Sequence, residues 1–326
     1  MNAAFTPRKI CPACGAGTCV RIFSRPYAEP RLRAALTAFY AEVGGLDYSV
    51  LIGDEYALAR CDDCGLIYQV NIPNDELLSR LYEEWISPAL AFARYHNHLP
   101  PLHYVGLASE VHLAATLIQP AAPRLALDYG CGWGEWARMT QAFGFEAWGT
   151  ELSPTRRQYA AQSGIRVVAD AALPAAAFGL INLDQVLEHL PSPCETLSFL
   201  AEKLHPGGVI RIAVPNGLRV AHALRDFDRE LTRPRLGRLN SVAPLEHLNC
   251  FTCRNLVRLA AKSGLRRTVP PPRSLWSAWV FPPRWKSRLK QIFRPMILRS
   301  NHTTQVYFTR EEPVVATCSN PSLLIR

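Results

Sequence analysis

Nothing in this chain constrains its fold more than one glycine-rich loop and the acid that follows it. Asp128-Tyr129-Gly130-Cys131-Gly132-Trp133-Gly134-Glu135-Trp136 closes one apolar run, and Glu151 closes the next. Glycines at alternate positions let a backbone turn sharply and approach a ligand at the amino end of the following helix. A carboxylate at the end of the neighbouring strand can accept both hydroxyls of a ribose. From Arg124 onward, apolar runs alternate with helical stretches, the pattern of a parallel sheet with helices on both faces. The strands expected are Leu125–Tyr129, Glu146–Glu151, Ile165–Ala169, Leu180–Asp184 and Val209–Val214. A glycine-rich loop alone carries little weight; the whole order of strand, Asp-x-Gly-x-Gly-x-Gly, helix and strand ending in Glu carries much more.

These residues resemble the class I methyltransferases that use S-adenosylmethionine. The Asp two places before the first glycine, and a third glycine only two places after the second, separate the loop from the dinucleotide pattern Gly-x-Gly-x-x-Gly. Val167-Val168-Ala169-Asp170 is similar to the family's adenine-contacting segment. Asp184-Gln185-Val186-Leu187-Glu188-His189-Leu190 is similar to the segment after the fourth strand, and Leu204-His205-Pro206-Gly207-Gly208-Val209 to the turn into the fifth. The resemblance covers about residues 120–310 and implies a Rossmann-like α/β domain of seven strands, with Leu265–Val269 and Thr303–Thr309 as an antiparallel last pair. It further implies that Asp128, Gly130 and Gly132, with Gly134 completing the loop, hold the methionine end of the cofactor. Glu151 would take the ribose, Asp170 the adenine amino group, and Gln185 would line the pocket. Trp133 or Trp136 could offer a ring face to the sulfonium, although packing is the plainer role for either. Gly179 stands where relatives carry Asp, which implies a looser start to strand four.

Ten cysteines in 326 residues, in a chain neither small nor visibly secreted, do not read as a disulfide framework. Cys11-Pro12-Ala13-Cys14-Gly15 and Cys61-Asp62-Asp63-Cys64-Gly65 are two knuckles of one design. The spacing lets both sulfurs of a knuckle face one ion, and two knuckles complete a closed tetrahedral site, so a structural Zn2+ is expected. Tyr27 to Gly45, between them, reads as helical. Cys19 is the alternative ligand. Cys250-Phe251-Thr252-Cys253 has no partner pair, and Thr252 reads as a helix N-cap. Cys131, Cys194 and Cys318 read as ordinary thiols. With the knuckles added, the resemblance extends to methyltransferases that carry an amino-terminal zinc module, among them deoxysugar C-methyltransferases. The expected organisation is a zinc-binding module over 1–72, a helical cap over 73–120, the methyltransferase domain over 121–312 and a tail over 313–326.

Methyl transfer from a sulfonium is an in-line displacement, and a hydroxyl or carbon-acid acceptor also needs a base. Histidine, with an ordinary pKa of about 6.5, suits that work, and an adjacent carboxylate can orient it. Two pairs offer themselves: Glu188-His189 after strand four, and Glu246-His247 in the connection Gly217–Phe251. In the zinc-carrying sugar enzymes that the chain resembles, a Glu-His pair in the corresponding connection is implicated in base chemistry. The resemblance therefore implies His247 as the base, with Glu246 beside it and His189 as the alternative. In the cap, Leu77, Leu78, Leu81, Tyr82 and Trp85 fall at helical spacing, with Tyr82 or Tyr95 facing the pocket. His96, His98, His103 and His112 match no metal spacing.

The formal charge of +9 invites a nucleic-acid reading until it is located. From His247 to Arg310 there are 13 Lys/Arg and no acid, whereas the remaining 23 basic side chains face all 27 acidic ones. Much of the excess lies in Pro270–His302, an insertion in the last hairpin, where Trp285, Leu289, Ile292, Phe293 and Met296 share one helical face opposite basic residues. This reads as a peripheral membrane contact or as a packed stripe, and nucleic acid is the weaker alternative. No apolar run is long enough for a signal peptide or a spanning helix of about 20 residues, so a cytoplasmic protein is expected, with contact at the inner membrane face through the insertion. The function expected is methyl transfer from S-adenosylmethionine to oxygen or carbon of a small molecule or a sugar or glycan intermediate. The rivals are a zinc-module RNA methyltransferase, which lacks an Asn-Pro-Pro-Tyr-like base clamp here, and a non-catalytic zinc-bearing scaffold.

Overall fold

The computed structural model describes residues 4–96, 101–277 and 303–310. The basic stretch 278–302 of the insertion lies outside them, as do His98 and the side chains of Tyr95 and His96.

The chain begins with β1 (Phe5–Pro7), β2 (Cys19–Pro26), α1 (Pro30–Ala41), β3 (Glu55–Cys61), β4 (Ile67–Gln69) and β5 (Asn71–Pro73). Helix α1 starts where Pro30 supplies a preset φ and the Glu29 carboxylate accepts the Leu32 N–H at 2.8 Å. Leu32, Leu36 and Tyr40 recur every fourth residue and are all fully buried. Three more helices follow, α2 (Asp75–Arg80), α3 (Pro88–His96) and α4 (Pro101–Ala115), with a wider turn over Leu81–Trp85 continuing α2.

The alternating part runs β6 (Leu125–Tyr129), α5 (Glu135–Ala142), β7 (Glu146–Thr150), α6 (Pro154–Gln162), β8 (Arg166–Val167), β9 (Phe178–Asp184), α7 (Pro193–Lys203) and β10 (Leu204–Pro215). It ends with α8 (Val220–Ala223), α9 (Phe227–Leu231), β11 (Asn249–Cys250), α10 (Cys253–Lys262), β12 (Leu265–Thr268), α11 (Pro272–Ser277) and β13 (Thr303–Arg310). Among the described residues, seven strands form one sheet in the order β12-β13-β10-β9-β6-β7-β8. Strands β6 to β10 pair in parallel, and β13 lies antiparallel between β10 and β12. This is the Rossmann-like methyltransferase sheet that the sequence implies.

Two local expectations change. Strand β8 keeps two residues rather than five, because as an edge strand it pairs only against Trp148 and Gly149. Gly179 does not loosen β9; a Cβ there would lie 2.1 Å from the Pro123 carbonyl oxygen, so the missing side chain is what lets that backbone approach.

The amino-terminal strands do not pack on themselves alone. Strand β11 pairs antiparallel with β4, matching Asn249 to Tyr68 and Cys250 to Ile67, and completes a four-stranded sheet β11-β4-β3-β2. Tyr27, Leu32, Leu36 and Tyr40 share a core with Val220, Phe227, Leu239 and Leu245 of the connection after β10. Among the described residues, no helix is long and apolar enough to cross a membrane.

Under the sheet's carboxyl ends sits a buried cation. Arg211 of β10 is 1% exposed and donates to Asn182 Oδ1 at 2.7 Å and Asp184 Oδ2 at 3.1 Å, while Glu110 of α4 pairs with it at 2.7 Å. Asn182 Nδ2 in turn donates to Asp128 Oδ1 at 2.7 Å. Removing one partner of such a set strands the others in low dielectric. Arg211→Ala is therefore expected to cost about 3–5 kcal/mol in urea denaturation.

Candidate functional site

The sheet brings the loop, Glu151 and Asp170 to the ends of adjacent strands. Gly130, Gly132 and Gly134 all take left-handed φ, at 72°, 55° and 79°. A Cβ at Gly134 would sit 2.2 Å from Ile165 Cδ1 and one at Gly130 would sit 2.8 Å from Val186 Cγ2, so packing as well as conformation requires these two glycines. Above Gly132 there is nothing within 4 Å, which leaves that face of the loop open to a ligand. Glu151 reaches back across the gap: one carboxylate oxygen accepts the Gly132 N–H at 2.8 Å and the other the Ser153 N–H at 2.9 Å. Asp170 accepts from the Tyr129 hydroxyl at 2.8 Å. Asp128 is buried below the loop, and that burial pushes its carboxyl up to about 7. Gln185 bends away from β9 at φ 55°. Trp136 is buried in the apolar core with Ala126, Phe145 and Leu180, so it packs; Trp133 stacks edge-on with Phe92 and Tyr159.

The two Glu-His pairs, 58 positions apart in sequence, meet in space. The rings of His189 and His247 have centroids 4.7 Å apart at 76°. The Tyr82 hydroxyl lies 2.9 Å from His189 Nδ1, so Tyr82 belongs to the site, with Glu246, Glu188, Arg156 and Glu151 in its electrostatic surroundings. His247 Nδ1–H donates to the Asn240 carbonyl, which fixes the tautomer and leaves Nε2 with its lone pair. Burial drives His247 down to about 4 and His189 well below its ordinary range, so both imidazoles are neutral at neutral pH. Glu188 is 1% exposed, neither carboxyl oxygen has a hydrogen-bond partner, and burial holds it well above the usual carboxylate range. The orientation of His247 by its neighbour is corrected by the structure: Glu246 instead accepts from the Tyr40 hydroxyl of α1 at 2.8 Å. The main-chain carbonyl of Asn240 holds the imidazole.

What joins the pairs is a residue the sequence left in a loop. Asn249 is fully buried; its Nδ2 donates to the Leu190 carbonyl at 2.7 Å, and its Oδ1 accepts from Arg8 Nη1 at 2.8 Å. Arg8 Nη2 also donates to the Pro191 carbonyl at 2.9 Å. The short strand β11 carries too few apolar positions to show a period, so no pattern announces it.

Among the described residues, two groups of His, Cys, Asp or Glu side chains have ligand atoms within 4.8 Å of one another: Cys11, Cys14, Cys61 and Cys64, and Glu188, His189 and His247. In the first, Cys11 and Cys64 sulfurs are 3.6 Å apart and Cys14 and Cys61 3.4 Å. The knuckles are near copies: Gly15 and Gly65 both take φ 76°, and their N–H groups donate to Cys11 and Cys61 at 2.9 and 3.0 Å. Cys19 stands outside, its thiol donating to the Ala16 carbonyl at 3.7 Å. Thr252 caps α10 in a reciprocal box with Asn255, as its sequence implies. His103 pairs with Glu135 at 2.9 Å, away from both groups.

A family model described as a methyltransferase domain matches residues 102–268. A ubiquinone biosynthesis O-methyltransferase from Parvibaculum lavamentivorans is 31% identical over 158 residues, covering 44% of this chain and 62% of that protein. One of the same name from Xanthomonas axonopodis pv. citri is 30% identical over 135 residues, covering 38% of this chain and 56% of that protein. The chain thus spans about three-fifths of the length of these curated relatives. Among solved structures, magnesium protoporphyrin IX methyltransferase from Synechocystis PCC 6803 is 12% identical with a TM-score of 0.46, over 73% of this chain and 100% of that one.

Asn249→Ala would leave the Leu190 carbonyl and the Arg8 guanidinium short of a buried partner. A loss of about 2–4 kcal/mol in urea denaturation is expected, against near-neutral behaviour for an exposed alanine substitution such as Glu76→Ala.

Proposed function

The chain belongs to the methyltransferase-domain family, and from that premise we propose that it moves a methyl group from S-adenosylmethionine to an oxygen of a small organic molecule. The observation that carries this reading is the meeting of His189 and His247, two neutral imidazoles, at Tyr82, whose electrostatic surroundings include Glu151 of the glycine-loop site. S-adenosylmethionine supplies a methyl group already activated on a sulfonium. The protein's tasks are then to hold the donor, hold the acceptor in line behind the methyl carbon, and relieve the acceptor oxygen of its proton.

The residues divide accordingly. Gly130, Gly132 and Gly134 let the main chain come close to the methionine end, with Asp128 beneath them. Glu151, already anchored to the loop by the Gly132 N–H, presents its remaining lone pairs to the ribose hydroxyls. Asp170, held by Tyr129, takes the adenine amino group, and Gln185 lines the pocket at the bend after β9. His247 and His189 activate the acceptor; Tyr82 positions His189, and Glu246 fixes α1 over the site through Tyr40. The relatives named as O-methyltransferases support oxygen as the methylated atom and a small molecule as the acceptor. A sugar or glycan intermediate, the acceptor class implied by the zinc-module resemblance, offers the same hydroxyl chemistry.

Cys11, Cys14, Cys61 and Cys64 hold a structural Zn2+ in this reading. Tetrahedral bonds of about 2.3 Å put sulfurs about 3.8 Å apart, close to the paired spacings of 3.6 and 3.4 Å. No fifth donor from the group is needed, so the ion does not touch the acceptor.

Two measurements separate donor binding from transfer. Glu151→Ala should weaken S-adenosylmethionine binding about 10–100-fold in calorimetry, as befits a lost charged hydrogen bond. His247→Ala should bind the donor like the wild type yet transfer radiolabelled methyl to a fractionated small-molecule extract about 100-fold more slowly or worse. Wild-type transfer by that variant, or label entering only the RNA fraction, would overturn the reading. Metal analysis of purified protein should give one tightly held zinc per chain, and Cys61→Ser should lose it and unfold at lower urea concentration.

A further inference from the structure

Glu188 poses a problem that the proposed chemistry does not solve. Its carboxyl group is 1% exposed, both oxygens lack a hydrogen-bond partner, and the nearest charge-bearing group is His189 Nε2 at 3.9 Å. Burying such a group without compensation is costly, and folded proteins seldom do so without a ligand. Around it the donors converge. His247 uses Nδ1–H on the Asn240 carbonyl and keeps the Nε2 lone pair free. His189 has Nδ1 2.9 Å from the Tyr82 hydroxyl and Nε2 3.9 Å from Glu188 Oε1, with the Glu246 main chain also beside the ring. An imidazole with one nitrogen tied to an oxygen partner and the other bare is the arrangement that orients histidines on metals. The three ligand atoms lie within 4.8 Å of one another, against the roughly 3–3.4 Å that bonds of about 2.0–2.2 Å require, so the side chains would close in on a bound ion.

We propose that Glu188, His189 and His247 form a binding site for a divalent cation, distinct from the four-cysteine site, at which the acceptor's oxygen completes the coordination. Two imidazoles and one carboxylate favour ions of the Zn2+, Co2+, Mn2+ or Fe2+ type over Ca2+, which takes oxygen donors. Three protein ligands leave positions open, unlike the closed sulfur site. The second half of the proposal rests on the reading that this cluster faces the acceptor. An acceptor hydroxyl bound there loses its proton to solvent, because the cation stabilises the oxyanion. The oxyanion's electron pair then forms the O–C bond as the S–C bond breaks, and the sulfonium leaves as a neutral thioether. No oxidant or further reactant is consumed.

The test uses full-length protein with zinc already in its cysteine site, titrated with Co2+ and followed by the visible d–d absorption. One saturating Co2+ per chain is expected for the wild type. Glu188→Gln and His247→Ala should each weaken binding at least tenfold, and Glu76→Gln on the exposed face of α2 should not change it. Glu188→Gln is isosteric and, like the carboxyl that burial keeps protonated, carries no charge, so it keeps the fold intact for the comparison, checked by circular dichroism. No saturable absorption in the wild type, or an unchanged curve in Glu188→Gln, overturns the site. If the wild type binds no Co2+ but His247→Ala still loses transfer, the cation falls and the acceptor-activating histidines stand. If Co2+ binds as expected but His247→Ala transfers methyl at the wild-type rate, the site stands and its role toward the acceptor falls.

Discussion

The amide of Asn249 ties together three parts of the chain that lie far apart in sequence. It is fully buried, donates to the Leu190 carbonyl next to His189, and accepts from Arg8 near the amino terminus, two residues after His247 in its own segment. Gln69, also fully buried, does the matching work on the other side: its Nε2 donates to the Ala243 and His247 carbonyls at 2.9 and 3.0 Å. In low dielectric such bonds are directional and costly to break. The backbone on both flanks of His247 is therefore fixed by polar side chains as well as by the packing of Leu245 and Leu248.

This makes the amino-terminal module part of the site's scaffold. Gln69 ends β4, β4 follows the second cysteine knuckle, and β11 pairs with β4. From the other direction, α10 reaches the knuckles through Arg258 on the Asp63 carbonyl and Lys262 on the Cys14 carbonyl. A continuous run of main-chain pairing and hydrogen bonds thus leads from the knuckles through β4 to β11 and the segment of His247.

Much of the fold was legible because its signals are local. Alternating apolar runs marked the strands, the loop's glycines marked a place where three left-handed residues were needed, and Thr252 with Asn255 marked a helix start. The pairing of His189 with His247 was not legible, since neither segment carries a trace of the other and the two stood as rivals for the base, His247 ahead of His189. Asn249 was hidden in a two-residue strand, and the Asn240 carbonyl is a main-chain group that no side-chain pattern reports. Gly179 misled for the opposite reason: judged against relatives it was a missing acid, whereas its role is to make room for the Pro123 carbonyl.

The sheet holds its buried charges in two contrasting ways. At Arg211, one guanidinium meets the partly exposed Asp184 and Glu110 and, through Asn182, the buried Asp128, so each acid has a partner within hydrogen-bonding reach. Only four residues beyond Asp184, Glu188 is buried as deeply and has none. A chain that compensates its carboxylates under β9 with a fully enclosed arginine has no evident reason to leave the next one bare. The difference lies in what stands opposite: Arg211 faces acids that need a cation, while Glu188 faces two imidazoles whose lone pairs need one too. Two neutral imidazoles beside a buried carboxyl group with no hydrogen-bond partner are a donor set that a bound cation would engage, releasing the proton that burial holds on the carboxyl.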